Sequence, residues 1–169
     1  MAILTILTYP DRFLRTQTQP VTVFDQQLER LIDDMAETMY HAPGVGLAAT
    51  QVGVDKSVIV YDGFPGEERE ELRVLINPKI VRQEGEVLSE NEGCLSVPDF
   101  RADVKRAAAV TIEGLDRNGN PVVLELDNYL GTVLQHEIDH LNGVLFIDRI
   151  SKLKKNMYKR RMKKKRAEN

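Results

Sequence analysis

A chain of 169 residues, 42% hydrophobic and 29% charged, is the size of one domain with enough apolar residues to bury a core. That balance excludes collagen-like and disordered classes, and no apolar run approaches the ~18 residues of a membrane-spanning helix. The net charge of −3 hides an asymmetry: residues 152–166 hold ten Lys and Arg and no acid, leaving 13 basic against 26 acidic side chains elsewhere. An acidic body therefore ends in a basic tail. No basic residue precedes Arg12, which argues against a secretory or transit peptide and for a cytoplasmic protein. The lone cysteine, Cys94, cannot close an internal disulfide and is either a small buried hydrophobe or a thiolate with chemistry to do.

In chain order, the first periodic segment spans residues 25–39, with Leu28, Leu31, Ile32, Met35 and Met39 at helical spacing and Asp25 as N-cap. Small residues crowd 44–53. β-leaning runs follow at 57–61, 72–77, 79–88, 108–115 and 121–126. The last two flank Asp116-Arg117-Asn118-Gly119-Asn120, whose Asn-Gly step suits a hairpin turn. A second helix is predicted over about 128–142, stopped by Gly143, and a final one from near Ser151. Helix, hairpin strands, then helix predicts the α+β class, with mostly antiparallel sheets packed around a central helix and a C-terminal helix beyond it. No repeat or low-complexity linker breaks the body, so 1–150 is read as one compact domain and 151–169 as its basic helical extension.

His136-Glu137-Ile138-Asp139-His140 falls within the second predicted helix. Residues four apart stack one turn above each other, so both imidazoles can reach one metal ion, while Glu137 stands beside the ion free to move protons. A third ligand is needed. The metzincin pattern asks for His at position 146, where the chain has Phe, and a distant Glu is met downstream only at Glu168 in the charged tail. Cys94, in a loop sequence at a strand edge, is the leading candidate, against its alternative as a packed hydrophobe. His41 is the rival, although capping of helix one accounts for it. A Cys-His-His set leaves a fourth tetrahedral position for water, whose pKa the cation brings toward neutrality for attack on a carbonyl.

Three blocks together resemble the signature of the peptide deformylase family: Gly44-Val45-Gly46-Leu47-Ala48-Ala49-Thr50-Gln51, Glu92-Gly93-Cys94-Leu95-Ser96 and Gln135-His136-Glu137-Ile138-Asp139-His140-Leu141. The likeness covers most of the chain. Thr50, where the family more often has Pro, is one departure, and Val97-Pro98 is similar to the type 1 branch typical of Gram-negative bacteria. The resemblance implies removal of the formyl group from the initiator methionine of nascent polypeptides, with formate released. It implies one divalent metal ion, natively Fe2+ with Zn2+, Ni2+ or Co2+ as substitutes, held by Cys94, His136 and His140. Glu137 is then general base and acid, and the Gln51 side-chain amide and Leu95 backbone N–H are oxyanion donors. A turn-capping role is the alternative for Gln51. Val45 and Gly46 are expected to meet the extended peptide, Gly46 by close backbone approach. Arg101 is a further candidate for positioning it, or a solvated surface residue.

Helix geometry adds a pocket. At 100° per residue, Tyr129, Thr132 and Val133 lie within about 60° of His136, whereas Leu130, Leu134, Ile138 and Leu141 cluster between about 120° and 200°. The first set is expected to line a side-chain pocket beside the metal and the second to pack the core. In the tail, Leu153 and Met157 mark one weak apolar seam among basic residues. Since the acidic body would repel RNA and the family's substrate emerges from the ribosome, the tail is expected to dock on ribosomal RNA or nearby protein, and no membrane is involved.

Overall fold

The structure is a computed structural model that describes residues 1–63 and 71–168. Helix α1 spans Gln26–His41 and starts as expected, with the Asp25 carboxylate accepting from Leu28 N at 3.0 Å. Among the described residues seven strands follow: β1 (Gly46–Ala48), β2 (Val58–Tyr61), β3 (Arg73–Glu84), β4 (Val87–Cys94), β5 (Val97–Arg106), β6 (Ala109–Leu115) and β7 (Pro121–Leu126). Helices α2 (Tyr129–Leu141) and α3 (Lys152–Glu168) close the chain, and Asn169 of the tail lies outside the described residues. The fold is α+β. A five-stranded antiparallel sheet runs β1-β2-β3-β6-β7, and β4 and β5 pair separately as a two-stranded sheet.

The period-two rule explains how the larger sheet holds two helices. Along β2, Val58 and Val60 join Leu28, Ile32, Met35 and Met39 of α1, while Ile59 and Tyr61 join Leu134, Ile138 and Leu141 of α2. A strand buried on both faces reads as a continuous apolar run, which is how residues 57–61 appear in sequence. The expected core face of α2 is the observed one, with Leu130 packed at its margin. Gln135 ties the helix to the β5–β6 connection: its Oε1 accepts from Ala107 N at 2.9 Å and its Nε2 donates to Ala107 O at 3.0 Å. Beyond α2, Gly143 takes φ +74°, and a Cβ there would fall 2.5 Å from Arg15 O, so no other residue fits this stop without backbone movement.

Two strand boundaries differ from expectation. The runs 72–77 and 79–88 merge into one strand across Asn77, whose φ of +52° and side-chain bonds to Val21 N and O absorb a register shift before Lys79. That strand breaks instead at Gly85, φ +66°, and the residues around Cys94 form a long hairpin rather than a loop. A third cluster lies beneath this hairpin, built from Leu14, Val97, Val104, Leu145, Phe146, Ile147 and Tyr158. Tyr158 corrects the expected seam of the tail. Leu153 and Met157 are 72% and 54% exposed, and α3 instead inserts Tyr158, fully buried, with Met162 beside it. Tyr158 carries a polar tip, yet its ring area outweighs the two smaller apolar side chains in the packing.

Candidate metal centre

Helix α2 and the β4–β5 hairpin bring three soft or borderline donors together. Cys94 Sγ lies 3.2 Å from His140 Nε2, which lies 3.1 Å from His136 Nε2. The donor atoms of Cys94, His136 and His140 all fall within 4.8 Å of one another. Such spacings are near the roughly 3.3–3.6 Å edges of a tetrahedron with metal–ligand bonds of 2.0–2.3 Å. His41, the rival ligand, is exposed at the end of α1 and stands outside this group.

The protonation pattern asks for a cation at the point where these atoms converge. Glu92 Oε1 lies 2.6 Å from His136 Nδ1, and the Arg106 guanidinium bridges Glu92 to Asp139, with Nη1 2.9 Å from Asp139 Oδ2. Burial alone would raise the Glu92 pKa, but its hydrogen bonds with His136 and Arg106 hold it at about 2. An ionised carboxylate can only accept, so Nδ1 carries a proton; burial alone would lower the His136 pKa, but Cys94, Glu92 and Glu137 around it raise it well above the ordinary imidazole value, so Nε2, facing Cys94 and His140, holds a proton that a cation would displace. Burial, with the neighbouring His136 and Arg106, pushes His140 well below the ordinary imidazole range, which keeps it neutral. A positive charge is thus favoured where His136 Nε2, His140 Nε2 and Cys94 Sγ converge, and a divalent ion there would replace the His136 proton with bonds to all three donors, so the residues fit the metal. Arg149 completes the support by a two-toothed contact with Asp139, Nε at 2.6 Å and Nη2 at 2.8 Å.

Glu137 borders this centre. It is buried, its Oε2 finds no partner among the described residues, and burial pushes its pKa up to about 7. Gly46 of β1 lies flat against it: a Cβ there would come within 2.8 Å of Glu137 Oε1. Gln51 performs the turn-capping role and leaves its amide nitrogen directed at the site. Its Oε1 accepts from Ala48 N at 3.0 Å, so Nε2 faces Ser96 Oγ at 3.1 Å and Cys94 Sγ at 3.7 Å. The Cys94–Val97 pairing makes Leu95 and Ser96 a two-residue turn, and the N–H of a first central turn residue is not used by the turn's own hydrogen bond. Thr50, the departure from the usual Pro, donates its hydroxyl to His140 O at 3.2 Å and so anchors the turn before Gln51 to α2.

A groove of about 790 Å3 opens over Glu137 and is lined by Val45, Gly46, Gln51, Cys94, Leu95, Arg101, Tyr129, Thr132, Val133 and His136. The six expected substrate positions thus share one wall-and-floor surface. Val133 is 7% exposed and forms an apolar floor, whereas Tyr129, at 58%, stands at the edge. β1 is an edge strand whose first residue, Gly46, lines the groove with Val45 before it, and Arg101 reaches back to Asn91 O at 3.2 Å. Glu92, Arg106 and Arg149 were not singled out in sequence. Glu92 and Asp139 lie inside the second and third signature-like blocks, but their cationic partners come from β5 and the turn after α2, a pairing that only the fold creates.

Residues 3–156 match the family model for polypeptide deformylase. The chain is similar to the peptide deformylase of Desulfosudis oleivorans, 51% identical over 97% of this chain and 95% of that one, and to that of Rhizobium meliloti, 53% identical over 97% and 94%. Among solved structures, a peptide deformylase from Legionella pneumophila superposes with a TM-score of 0.91 at 46% identity, covering 99% of both chains. One from Ehrlichia chaffeensis, in complex with actinonin, superposes at 0.88 and 40% identity over 98% of both. A metal-type donor cluster under a peptide-sized groove and matches that span nearly the whole chain lead to one conclusion: the chain belongs to the peptide deformylase family of metallo-hydrolases.

Proposed function

We propose that the protein removes the N-formyl group from the initiator methionine of nascent polypeptides and releases formate. The observation that carries this reading is Glu137, buried and incompletely partnered, beside the Cys94, His136 and His140 donors at the floor of a groove that ends on an apolar wall. In this reading Cys94, His136 and His140 hold one divalent cation, Fe2+ in the cell, with Zn2+, Ni2+ or Co2+ as substitutes. A cation bound there supplies Lewis-acid activation of water and of the formyl carbonyl. Glu137 takes the proton from the attacking water and returns one to the leaving amine; a group near neutrality serves both transfers. Gln51 Nε2 and the Leu95 N–H donate to the developing oxyanion, each worth about 3 kcal/mol of barrier. The methionine side chain packs on Val133 with Thr132 and Tyr129 beside it, the peptide runs past Val45 and Gly46, and Arg101 meets its later residues. The test is to offer formyl-methionyl peptides and unformylated equivalents, following formate and new amines. Formate from the first alone is expected; backbone cleavage of either would select a metallopeptidase.

The basic helix supports a second component of the reading. Residues 1–150 act as the catalytic domain, and 151–169 as an extension that docks on the ribosome in the cytoplasm. Among the described residues no helix is long and apolar enough to cross a membrane. Lys155, Arg161 and Lys165 pair with the body, while Lys152, Lys154, Lys159, Arg160, Lys163, Lys164 and Arg166 are exposed. If about five of these meet phosphates, the log-log slope of ribosome affinity against salt is roughly −3 to −5. Replacing Lys159, Arg160, Lys163 and Lys164 by Ala flattens that slope; an unchanged slope would return the tail to a solvated helix.

A further inference from the structure

The inward stripe of α3 consists of Tyr158, Arg161, Met162 and Lys165, spaced three, four and seven residues from Tyr158, which is one face of a helix. This stripe meets the groove where β5 forms its rim. The Phe100 ring centroid lies 5.0 Å from that of Tyr158 and 6.1 Å from that of Phe146. Arg161 Nη1 donates to Asp99 O at 3.1 Å, and Lys165 Nζ donates to Asp99 Oδ2 at 2.7 Å. Asp99 has φ +62°, in the left-handed region that a residue with a Cβ seldom occupies and that persists only where the surroundings hold it. Asp99, Phe100 and Arg101 all line the groove. The backbone direction set at Asp99 therefore decides where the next two side chains stand. Arg101 is itself seated closely: a Cβ on Gly93 would lie 3.0 Å from its Nη1.

We propose that Arg161 and Lys165, by holding Asp99 in its left-handed conformation, and Tyr158, by packing on Phe100, are positioning residues for the outer groove that fix Phe100 and Arg101 against the peptide residues that follow the formylated methionine. This rests on the deformylase reading and assigns α3 a role in substrate recognition separate from docking. The Lys165–Asp99 pair is exposed on both sides, 49% and 69%, so it adds little to global stability. Its effect is local, and removing it loosens the rim without unfolding the body.

The experiment compares the metal-loaded parent with the double variant Arg161→Ala/Lys165→Ala on two substrates, formyl-methionine amide and a formyl-methionyl tetrapeptide. The expected result is a KM for the tetrapeptide raised roughly three- to tenfold at unchanged kcat, with both constants for the single-residue substrate unchanged. Amide hydrogen exchange of residues 97–101 should quicken by about tenfold in the variant, read without turnover. The conservative pair Arg161→Lys/Lys165→Arg should restore both. Equal KM changes on the two substrates, no change on either, or unaltered exchange at the rim overturns the proposal. If the parent releases formate from neither substrate, the deformylase reading itself fails, and the proposal with it.

Discussion

Glu137 and His136 are neighbours in sequence with opposite electrostatic fates, and the difference comes from what each meets. His136 meets the ionised Glu92, itself held by Arg106, and its ring stacks on Phe146 with centroids 6.2 Å apart. Glu137 meets the bare backbone of Gly46 and little solvent, so burial lifts its pKa to about 7. Glu137→Gln keeps size and metal ligands while removing the proton carrier. We expect bound metal to be retained and kcat to fall by at least about two orders of magnitude, measured by formate release beside metal analysis. A near-native rate would remove Glu137 from the mechanism. At this scale the donor triad was legible, since four-residue spacing on a helix and a lone cysteine are local signals. The Glu92–Arg106–Asp139–Arg149 chain was not legible, because each link joins residues that only tertiary packing makes adjacent.

Elements with strong periodicity were readable and those built on special backbone positions were not. α1 and α2 match their apolar spacing, and the β6–β7 hairpin follows from the Asn-Gly step, with Gly119 at φ +85°. The β4–β5 hairpin escaped notice because polar residues and a two-residue turn at Leu95 and Ser96 mask its alternation. α3 escaped in its orientation, as its inward stripe mixes Tyr, Arg, Met and Lys. Its first turn is fastened through Asp148, which accepts from Arg15, from Lys155 Nζ at 2.8 Å and from Leu145 N at 2.9 Å. Burial tends to raise the Asp148 pKa, yet these bonds bring it from 3.8 to about 2. A lowered folded-state pKa means stability present above the unfolded value and lost as pH falls through the folded one. Asp148→Asn should cost on the order of 1–2 kcal/mol at pH 7 in urea unfolding, with the gap closing between about pH 4 and pH 2. A gap constant across that range would show that Asp148 is not ionised in the fold's service.

Across the described residues, α2 joins fold and site: one face packs Leu134, Ile138 and Leu141 on the large sheet, and the other carries the metal-type donors beneath the hairpin. The acidic body and basic tail follow from composition alone, and the family likeness from three short blocks. How the tail's cations divide between body and solvent needed the fold. In the proposed reading the Cys94, His136 and His140 centre carries the deformylation. Its most direct test is to strip the protein with a chelator under anaerobic conditions, titrate back Fe2+ and follow formate release from a formyl-methionyl peptide. Stripped protein should release negligible formate, and release should rise linearly to a plateau at about one ion per chain. Release that persists without metal, or that ignores the titration, would contradict this reading.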